Sequence, residues 1–204
     1  MHNHSHAHDN HDLRVGNRKR LITAIAANMG LTLVQLIAGV FAGSLALMAD
    51  ALHNFADAGA LILALVAIQI SRRPADSARS FGYRRAESIA ALINYTVVLV
   101  LSGFLLIAGV RGLINPQPVG GEVMMAVAGV ALVVDLFTAL LTYAAGKSSQ
   151  NMRAVFVHNL GDALTSLGVI AAGGMVVALG WHRADAIMSL VIAIVIIIYT
   201  LKGL

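Results

Sequence analysis

Long apolar runs, separated by short polar or Gly/Pro-containing breaks, fill most of the chain. A membrane-spanning helix needs about 20 consecutive apolar residues, and six runs approach or exceed that length. They cover residues 21–42, 45–70, 88–110, 123–145, 154–179 and 186–201. The pattern predicts an all-α membrane protein with six transmembrane helices. It divides the chain into a flexible tail over residues 1–19 and a six-helix membrane domain over residues 20–204.

Composition excludes a water-soluble globule. The 204-residue chain is 58% hydrophobic and 12% charged, with a mean hydropathy of +0.81, whereas a soluble domain carries about 25% charged residues. A β-barrel is disfavoured because its strands alternate over about 10 residues, and these runs are longer and unbroken. Cysteine is absent, which excludes disulfides and thiolate ligands. The expected surroundings are a lipid bilayer, and no nucleic-acid partner is expected.

The basic residues are distributed asymmetrically about the predicted spans. Twelve of the fourteen lie in the N-terminal segment, the second–third loop, the fourth–fifth loop and the C-terminal tail. Only Arg111 and Arg183 lie on the other predicted side. Short cytoplasmic loops are enriched in Lys and Arg, so both termini are predicted to be cytoplasmic. The expected location is the cell membrane, with the chain crossing it several times.

Six ionisable residues remain inside the predicted spans after the loops and tails are set aside. An acid at mid-bilayer costs about 3 kcal/mol on insertion scales, and such residues usually mark an ion or substrate path. The six are Asp50, His53, Asp57, Asp135, His158 and Asp162.

Four of the six belong to a repeated motif, His-Asn-x-x-Asp-Ala, which begins at His53 and again at His158. His and Asp four positions apart lie on one helical face. Two such faces in opposition would present His53, Asp57, His158 and Asp162, the number of ligands in a tetrahedral Zn²⁺ site. The same set suits Co²⁺, Ni²⁺, Mn²⁺ or Fe²⁺, whereas Cu(I) is disfavoured without sulfur ligands. One pair alone is equally explained as a structural hydrogen bond, but two matching pairs favour a metal site.

The proposed ligands also suit exchange of metal for protons. Metal binding requires neutral His and ionised Asp, so metal and protons compete for the same groups. Free histidine has a pKa of about 6.5, so an empty site takes up protons near physiological pH. Proton-coupled transport is therefore a hypothesis that follows from the ligand types.

At these motifs the chain resembles the cation diffusion facilitator family over nearly all of residues 20–204. Three segments carry the resemblance: Gly43–Asp50 leading into His53-x-x-x-Asp57, Ser80–Glu87 at the start of the third run, and His158-x-x-x-Asp162 in the fifth. The resemblance implies a six-helix exporter of divalent metal, which is a homodimer and exchanges metal for protons by alternating access. It also implies that these two His and two Asp residues are the transport site.

The resemblance also implies which ion is transported and what class of protein this is. Histidine at the first position of the second-run motif resembles the zinc-preferring branch of the family, which often also carries Cd²⁺. Zn²⁺ or Cd²⁺ is then the transported substrate and H⁺ the counter-ion, with no cofactor. The implied protein is a secondary active transporter and not an enzyme.

The chain departs from the family pattern in two places. Members usually continue for roughly 80–100 residues after the sixth span, into a cytoplasmic domain that binds metal and holds the dimer, whereas this sequence stops at Leu204. It is either naturally short or truncated. Some relatives also place metal ligands in the second–third loop. Here that loop offers Asp76 but has Arg79 and Tyr83 where histidines are expected, so no metal site is predicted there.

Two further acids inside the spans are candidates for supporting roles. Asp50, three residues before His53, either orients an imidazole through a hydrogen bond or caps the start of the second helix. Asp135, in the middle of the fourth run, is a proton relay, an outer ligand or the partner of a polar group such as Asn94 or Asn159.

The N-terminal tail contains five histidines among small polar residues, namely His2, His4, His6, His8 and His11. Such tracts bind metal loosely. The tail either raises the local supply of metal or is dispensable.

Three alternatives to zinc export remain open from the residues. The first is transport of Co²⁺, Ni²⁺, Fe²⁺ or Mn²⁺ through the same ligands. The second is an intramembrane metalloenzyme, which needs a general base beside an open metal position; the chain has no His-Glu-x-x-His sequence. The third is a channel, but a channel needs weak sites in a continuous pore, whereas four convergent ligands suit a carrier.

Overall fold

The computed structural model describes residues 29–71, 83, 85–146 and 150–203, and within these residues the regular structure is entirely helical. The helices are α1 (Met29–Ala42), α2 (Leu45–Ser71), α3 (Ala86–Ile114), α4 (Gly121–Gly146), α5 (Gln150–Leu179) and α6 (Arg183–Gly203). The all-α prediction is confirmed. Each helix coincides with one predicted apolar run, although the predicted start of the first run at residue 21 lies outside the described residues.

Four of the described helices are long and apolar enough to cross a membrane. These segments are Ser88–Ile114, Gly121–Leu140, Phe156–Leu179 and Arg183–Lys202. The described part of helix α1 is apolar but shorter than these four segments. Helix α2 is 27 residues long, but the polar residues of the first motif lie in its middle. The protein is a multi-pass membrane protein. The count of six crossings and the cytoplasmic position of both termini stay predictions.

Large apolar side chains on the outer faces of the helices match a lipid environment. Phe41 is 85% exposed, Tyr199 77% and Leu140 71%. Contiguous apolar surface of this kind is rare on soluble monomers. The interior is built instead from small residues and a few larger ones, including Ala46, Leu47, Leu105, Met124, Ala128, Val169, Ala193 and Ile192.

The helices pack unevenly, and this unevenness positions the candidate site. Helix α4 packs along α5, while α2 packs mainly against α3 and α6. Direct contact between α2 and α5 is sparse.

The α4–α5 backbones approach closely at two glycines: a Cβ added to Gly173 would lie 3.1 Å from the carbonyl oxygen of Gly121. Small residues allow such approaches between membrane helices.

The turn between α1 and α2 depends on a glycine in the left-handed region. Gly43 has φ +65°, and its N–H donates to the carbonyl of Val40 at 3.3 Å. The Ser44 N–H donates to the carbonyl of Gly39 at 2.9 Å. This pair of bonds is a Schellman motif, which ends a helix by satisfying its last carbonyls. It reverses the chain and delivers Ser44 to the start of α2.

Candidate metal site between α2 and α5

The two sequence motifs meet across the α2–α5 contact. The Nε2 atom of His158 lies 3.2 Å from Oδ2 of Asp57 and 3.4 Å from Oδ2 of Asp162. The Nε2 atom of His53 lies 3.6 Å from a carboxylate oxygen of each of the same two acids. Each imidazole therefore faces both carboxylates, one on its own helix and one on the opposite helix. This arrangement agrees with the expectation that the faces of the two His-Asn-x-x-Asp-Ala motifs lie opposite one another.

The four N···O distances are close to the distances between neighbouring ligand atoms in a tetrahedral shell. Four ligand atoms at 2.0–2.1 Å from a zinc ion lie about 3.3–3.4 Å from one another. The four N···O distances of 3.2–3.6 Å bracket that value. The rings of His53 and His158 lie edge to face with their centroids 6.1 Å apart. Within the part of the chain that the structure describes, no group of three or more His, Asp or Glu residues is arranged so that it could hold a metal ion as it stands. The four side chains would have to move to surround one ion.

The four groups differ in their exposure. The Asp162 side chain is 11% exposed and that of His158 is 48% exposed. Of the two candidate ligands on α5, the carboxylate is therefore buried and the imidazole is accessible. The Oδ2 atom of Asp57 is buried and makes no hydrogen bond of good geometry with a described group, although two imidazole nitrogens lie 3.2 and 3.6 Å away. A buried carboxylate oxygen without a well-aligned partner calls for an explanation, and a cation beside the two imidazoles would supply one.

Asp50 is held by an amide from another helix. Gln35 on α1 donates from Nε2 to Oδ2 of Asp50 at 2.6 Å, and both residues are buried. Asn54 donates weakly from Nδ2 to Oε1 of Gln35 at 3.5 Å. The alternative that Asp50 caps α2 is wrong, because other groups cap that helix. Gln35 was not singled out from the sequence, where an amide within an apolar run carries little information.

Asp135 joins α4 to α5 through a serine. The hydroxyl of Ser166 donates to Oδ2 of Asp135 at 3.1 Å, and both side chains are buried. Ser166 lies one helical turn after Asp162. Asp135 therefore contacts the helix that carries His158 and Asp162, but its partner is neither Asn94 nor Asn159. The Nδ2 atom of Asn159 is buried and has no hydrogen-bond partner among the described groups.

Asp185 is the functional candidate that sequence reasoning missed. It lies just before the sixth predicted apolar run, yet it is only 2% exposed. Its carboxylate accepts hydrogen bonds from Ser44 Oγ at 2.6 Å, from Leu45 N–H at 2.8 Å and from Ala46 N–H at 3.1 Å. The serine after the Gly43 turn indicated a helix start, but its partner lies 141 positions away, and the sequence alone does not pair the two.

Three predictions concern residues outside those described. The histidine-rich tail, Asp76 and Arg79 of the second–third loop, and the first turns of the first apolar run lie there. The predicted absence of a loop metal site and the role of the tail therefore stay predictions.

Comparison with known proteins identifies the family. The model of the cation efflux transmembrane domain matches residues 21–203. The chain belongs to the cation efflux family. The resemblance drawn from the motifs is thereby confirmed.

The relatives are bacterial metal transporters. The zinc transporter ZitB of Escherichia coli is 35% identical over 95% of this chain and 63% of its own length. The cadmium, cobalt and zinc/H(+)-K(+) antiporter of Bacillus subtilis is 31% identical over 89% of the chain and 59% of its own length. The metal cation efflux system protein CzcD of Cupriavidus metallidurans is 32% identical over 90% of the chain and 58% of its own length. The chain thus spans about 60% of the length of these relatives.

Proposed function

We propose that this protein exports divalent metal, chiefly Zn²⁺ and also Cd²⁺, from the cytoplasm in exchange for protons. The observation that carries the proposal is the meeting of two imidazoles and two carboxylates from α2 and α5, with N···O distances of 3.2–3.6 Å. We assign His53, Asp57, His158 and Asp162 as the ligands of the transported ion. The metal is cargo, and the ligand set closes around it by small side-chain movements.

The donor chemistry supports zinc and its neighbours. Imidazole and carboxylate together suit Zn²⁺, Co²⁺, Ni²⁺, Mn²⁺ and Fe²⁺, and the two carboxylates offset the charge of a divalent ion. The names of the relatives agree: ZitB is a zinc transporter, and the Bacillus antiporter is named for cadmium, cobalt and zinc. Transport of Co²⁺ or the other divalent ions is the alternative within the same site.

Proton exchange follows from the same four side chains. When the metal leaves, two carboxylates face two imidazoles in a largely apolar surrounding, and protons on these groups replace the lost positive charge. Metal binding requires neutral imidazoles and ionised carboxylates, so metal and protons compete for the same groups. The name of the Bacillus relative includes H⁺ and K⁺.

The uneven helix packing supports alternating access. Helix α2 packs mainly on α3 and α6, whereas α5 packs mainly on α4 and less extensively on α6, so the two halves of the site are held mainly by different helices. Because direct contact between α2 and α5 is sparse, the halves can separate with loss of little packing other than that between α5 and α6. We propose that the protein works as a homodimer in the cell membrane.

Transport in proteoliposomes tests the proposal. The purified chain is reconstituted with a zinc-sensitive dye inside, and uptake is followed with and without an imposed proton gradient. Saturable uptake driven by the gradient is expected. A variant in which all four ligands are alanine is the control and should show background uptake only. Equal uptake by wild type and this variant, or indifference to the gradient, would overturn the proposal.

A further inference from the structure

The N-terminal ends of α2 and α6 meet at one buried carboxylate. Asp185 lies in the first turn of α6, and its Oδ1 accepts from Ser44 Oγ at 2.6 Å and from Ala46 N–H at 3.1 Å. Its Oδ2 accepts from Leu45 N–H at 2.8 Å. A negative charge is favourable near the N-terminus of a helix, and here a single carboxylate serves two helices at once.

This contact completes the capping of α2. The first N–H groups of a helix have no partner within the helix. Asp185 accepts from two of them, and the hydroxyl of Ser44 accepts from the third, the N–H of Leu47, at 3.1 Å. The N–H of Met48 then makes the first regular helical bond, to the carbonyl of Ser44 at 3.2 Å. Since Ser44, Ala46 and Leu47 are fully buried, water does not replace a lost acceptor easily.

The cap determines the register of α2. Each helical residue advances about 1.5 Å and turns about 100°, so His53, eight residues after Leu45, lies about 12 Å along the axis. The two oxygens of Asp185 bind two individual N–H groups. A slip of α2 by one residue would break both bonds, and it would move His53 by about 1.5 Å and rotate it away from α5.

Sparse packing at the site makes this anchor important. Helix α2 has few contacts with α5, so the approach of its ligands to His158 and Asp162 depends on how α2 is held elsewhere. We propose that Asp185, which neither binds metal nor contacts a ligand, is a positioning residue that holds His53 and Asp57 in register with the α5 half of the site. This inference rests on the proposed function of the four ligands.

Cobalt binding to the full chain in lipid nanodiscs provides the first test. Co²⁺ reports the geometry of its ligands through visible absorption bands, which are intense when the ion is tetrahedral. Asp185→Asn keeps the size of the side chain but replaces one acceptor oxygen with a donor that faces a backbone N–H. Because Asp185 contacts no ligand, its effect reaches the site only through the position of α2. We expect Asp185→Asn to lower Co²⁺ affinity and to weaken the tetrahedral bands.

Glu122→Gln is the matched control. Glu122 also lies in the first turn of a helix, α4, but it is exposed, so the same change of charge should leave both affinity and spectrum unchanged. If Asp185→Asn does not yield folded protein, Ser44→Ala replaces it in this test, because it removes one hydrogen bond to Asp185. Ser44→Ala should also weaken the tetrahedral Co²⁺ bands, but by a smaller amount. A wild-type spectrum and affinity in the folded variant would overturn the inference.

A distance measurement separates this inference from the proposed function. The chain has no cysteine, so spin labels on Ile62→Cys of α2 and Leu167→Cys of α5, two exposed positions, are free of background. Without metal, the α2–α5 distance distribution should broaden or shift in Asp185→Asn and stay unchanged in Glu122→Gln. An unchanged distribution would overturn the positioning role even if zinc transport is confirmed. A failure of the wild-type chain to bind Co²⁺ would overturn the proposed ligands while the distance result still reports on Asp185.

Discussion

His158 on α5 lies closer to the carboxylate of the opposite helix than to that of its own. Its Nε2 atom is 3.2 Å from Oδ2 of Asp57 and 3.4 Å from Oδ2 of Asp162. The pair therefore joins the two halves of the site, and Asp57 is the acid whose removal should separate them most directly.

We expect Asp57→Asn to weaken zinc binding at least about tenfold, which corresponds to about 1.4 kcal/mol. The substitution keeps the shape of the side chain but removes a negative charge that faces both imidazoles. Isothermal titration with Zn²⁺ measures the change, and Glu122→Gln is the control for loss of an acid elsewhere. Unchanged affinity in Asp57→Asn would remove this residue from the ligand set.

Zinc binding should weaken as the pH falls from 8 to 5. Binding requires neutral imidazoles and ionised carboxylates, and a lower pH favours the protonated form of both kinds of group. The dissociation constant should rise as the pH falls, and zinc binding at pH 7 should release protons that differ in amount between buffers of different ionisation enthalpy. A dissociation constant that is flat from pH 8 to 5 would contradict proton competition.

Asp135→Asn should retain the fold and zinc binding but lose the response of transport to a proton gradient. The amide oxygen still accepts the hydrogen bond from Ser166, whereas the titratable carboxylate is gone. Gradient-driven zinc uptake in proteoliposomes is the measurement. Ser166→Ala is the control, since it removes the hydrogen bond and keeps the acid. Full transport with an intact gradient response in Asp135→Asn would reduce this residue to a packing role.

Gln35→Leu should destabilise the protein more than Asp50→Asn does. The Gln35 substitution leaves a buried carboxylate without its 2.6 Å donor, and an unsatisfied buried polar group costs about 1–3 kcal/mol. In Asp50→Asn the side chain keeps an acceptor and loses its charge. Thermal unfolding in detergent compares the two variants and the double variant. The double variant should be more stable than Gln35→Leu alone, and additive effects would contradict a direct coupling.

Gly43→Ala should lower stability by about 1–2 kcal/mol, because a Cβ is unfavourable in the left-handed region that Gly43 occupies with φ +65°. Gly30→Ala is the matched control: Gly30 lies in α1, and an added Cβ would meet no atom within 4 Å. Alanine is about 0.5–1 kcal/mol more favourable than glycine inside a helix. The two variants should therefore shift the unfolding temperature in opposite directions, and equal shifts would contradict the strain argument.

The membrane character, the helices and the four central residues could be predicted from the sequence for identifiable reasons. Long apolar runs indicate membrane-spanning helices because the bilayer core excludes polar residues. Breaks such as the one at Gly43 and Ser44 mark the ends of helices. The His-Asn-x-x-Asp-Ala repeat places each His–Asp pair on one helical face by the period of the helix alone. Such information is local, because it depends on residues within one or two turns of one another.

The partners of Asp50, Asp135 and Asp185 could not be predicted in the same way. Gln35, Ser166 and Ser44 are ordinary polar residues in sequence, and they become significant only when separate helices are brought together. A buried carboxylate must find a donor, but the sequence does not say on which helix the donor lies.

The sequence by itself determined the apolar helices, the likeness to a transporter family and the chemistry of the four candidate ligands. Only the tertiary structure decided that both imidazoles face both carboxylates across α2 and α5, and that Asp185 holds the start of α2. The physical reason is that helix periodicity and hydropathy act along the chain, whereas metal ligands and buried caps depend on distances of about 3 Å between helices.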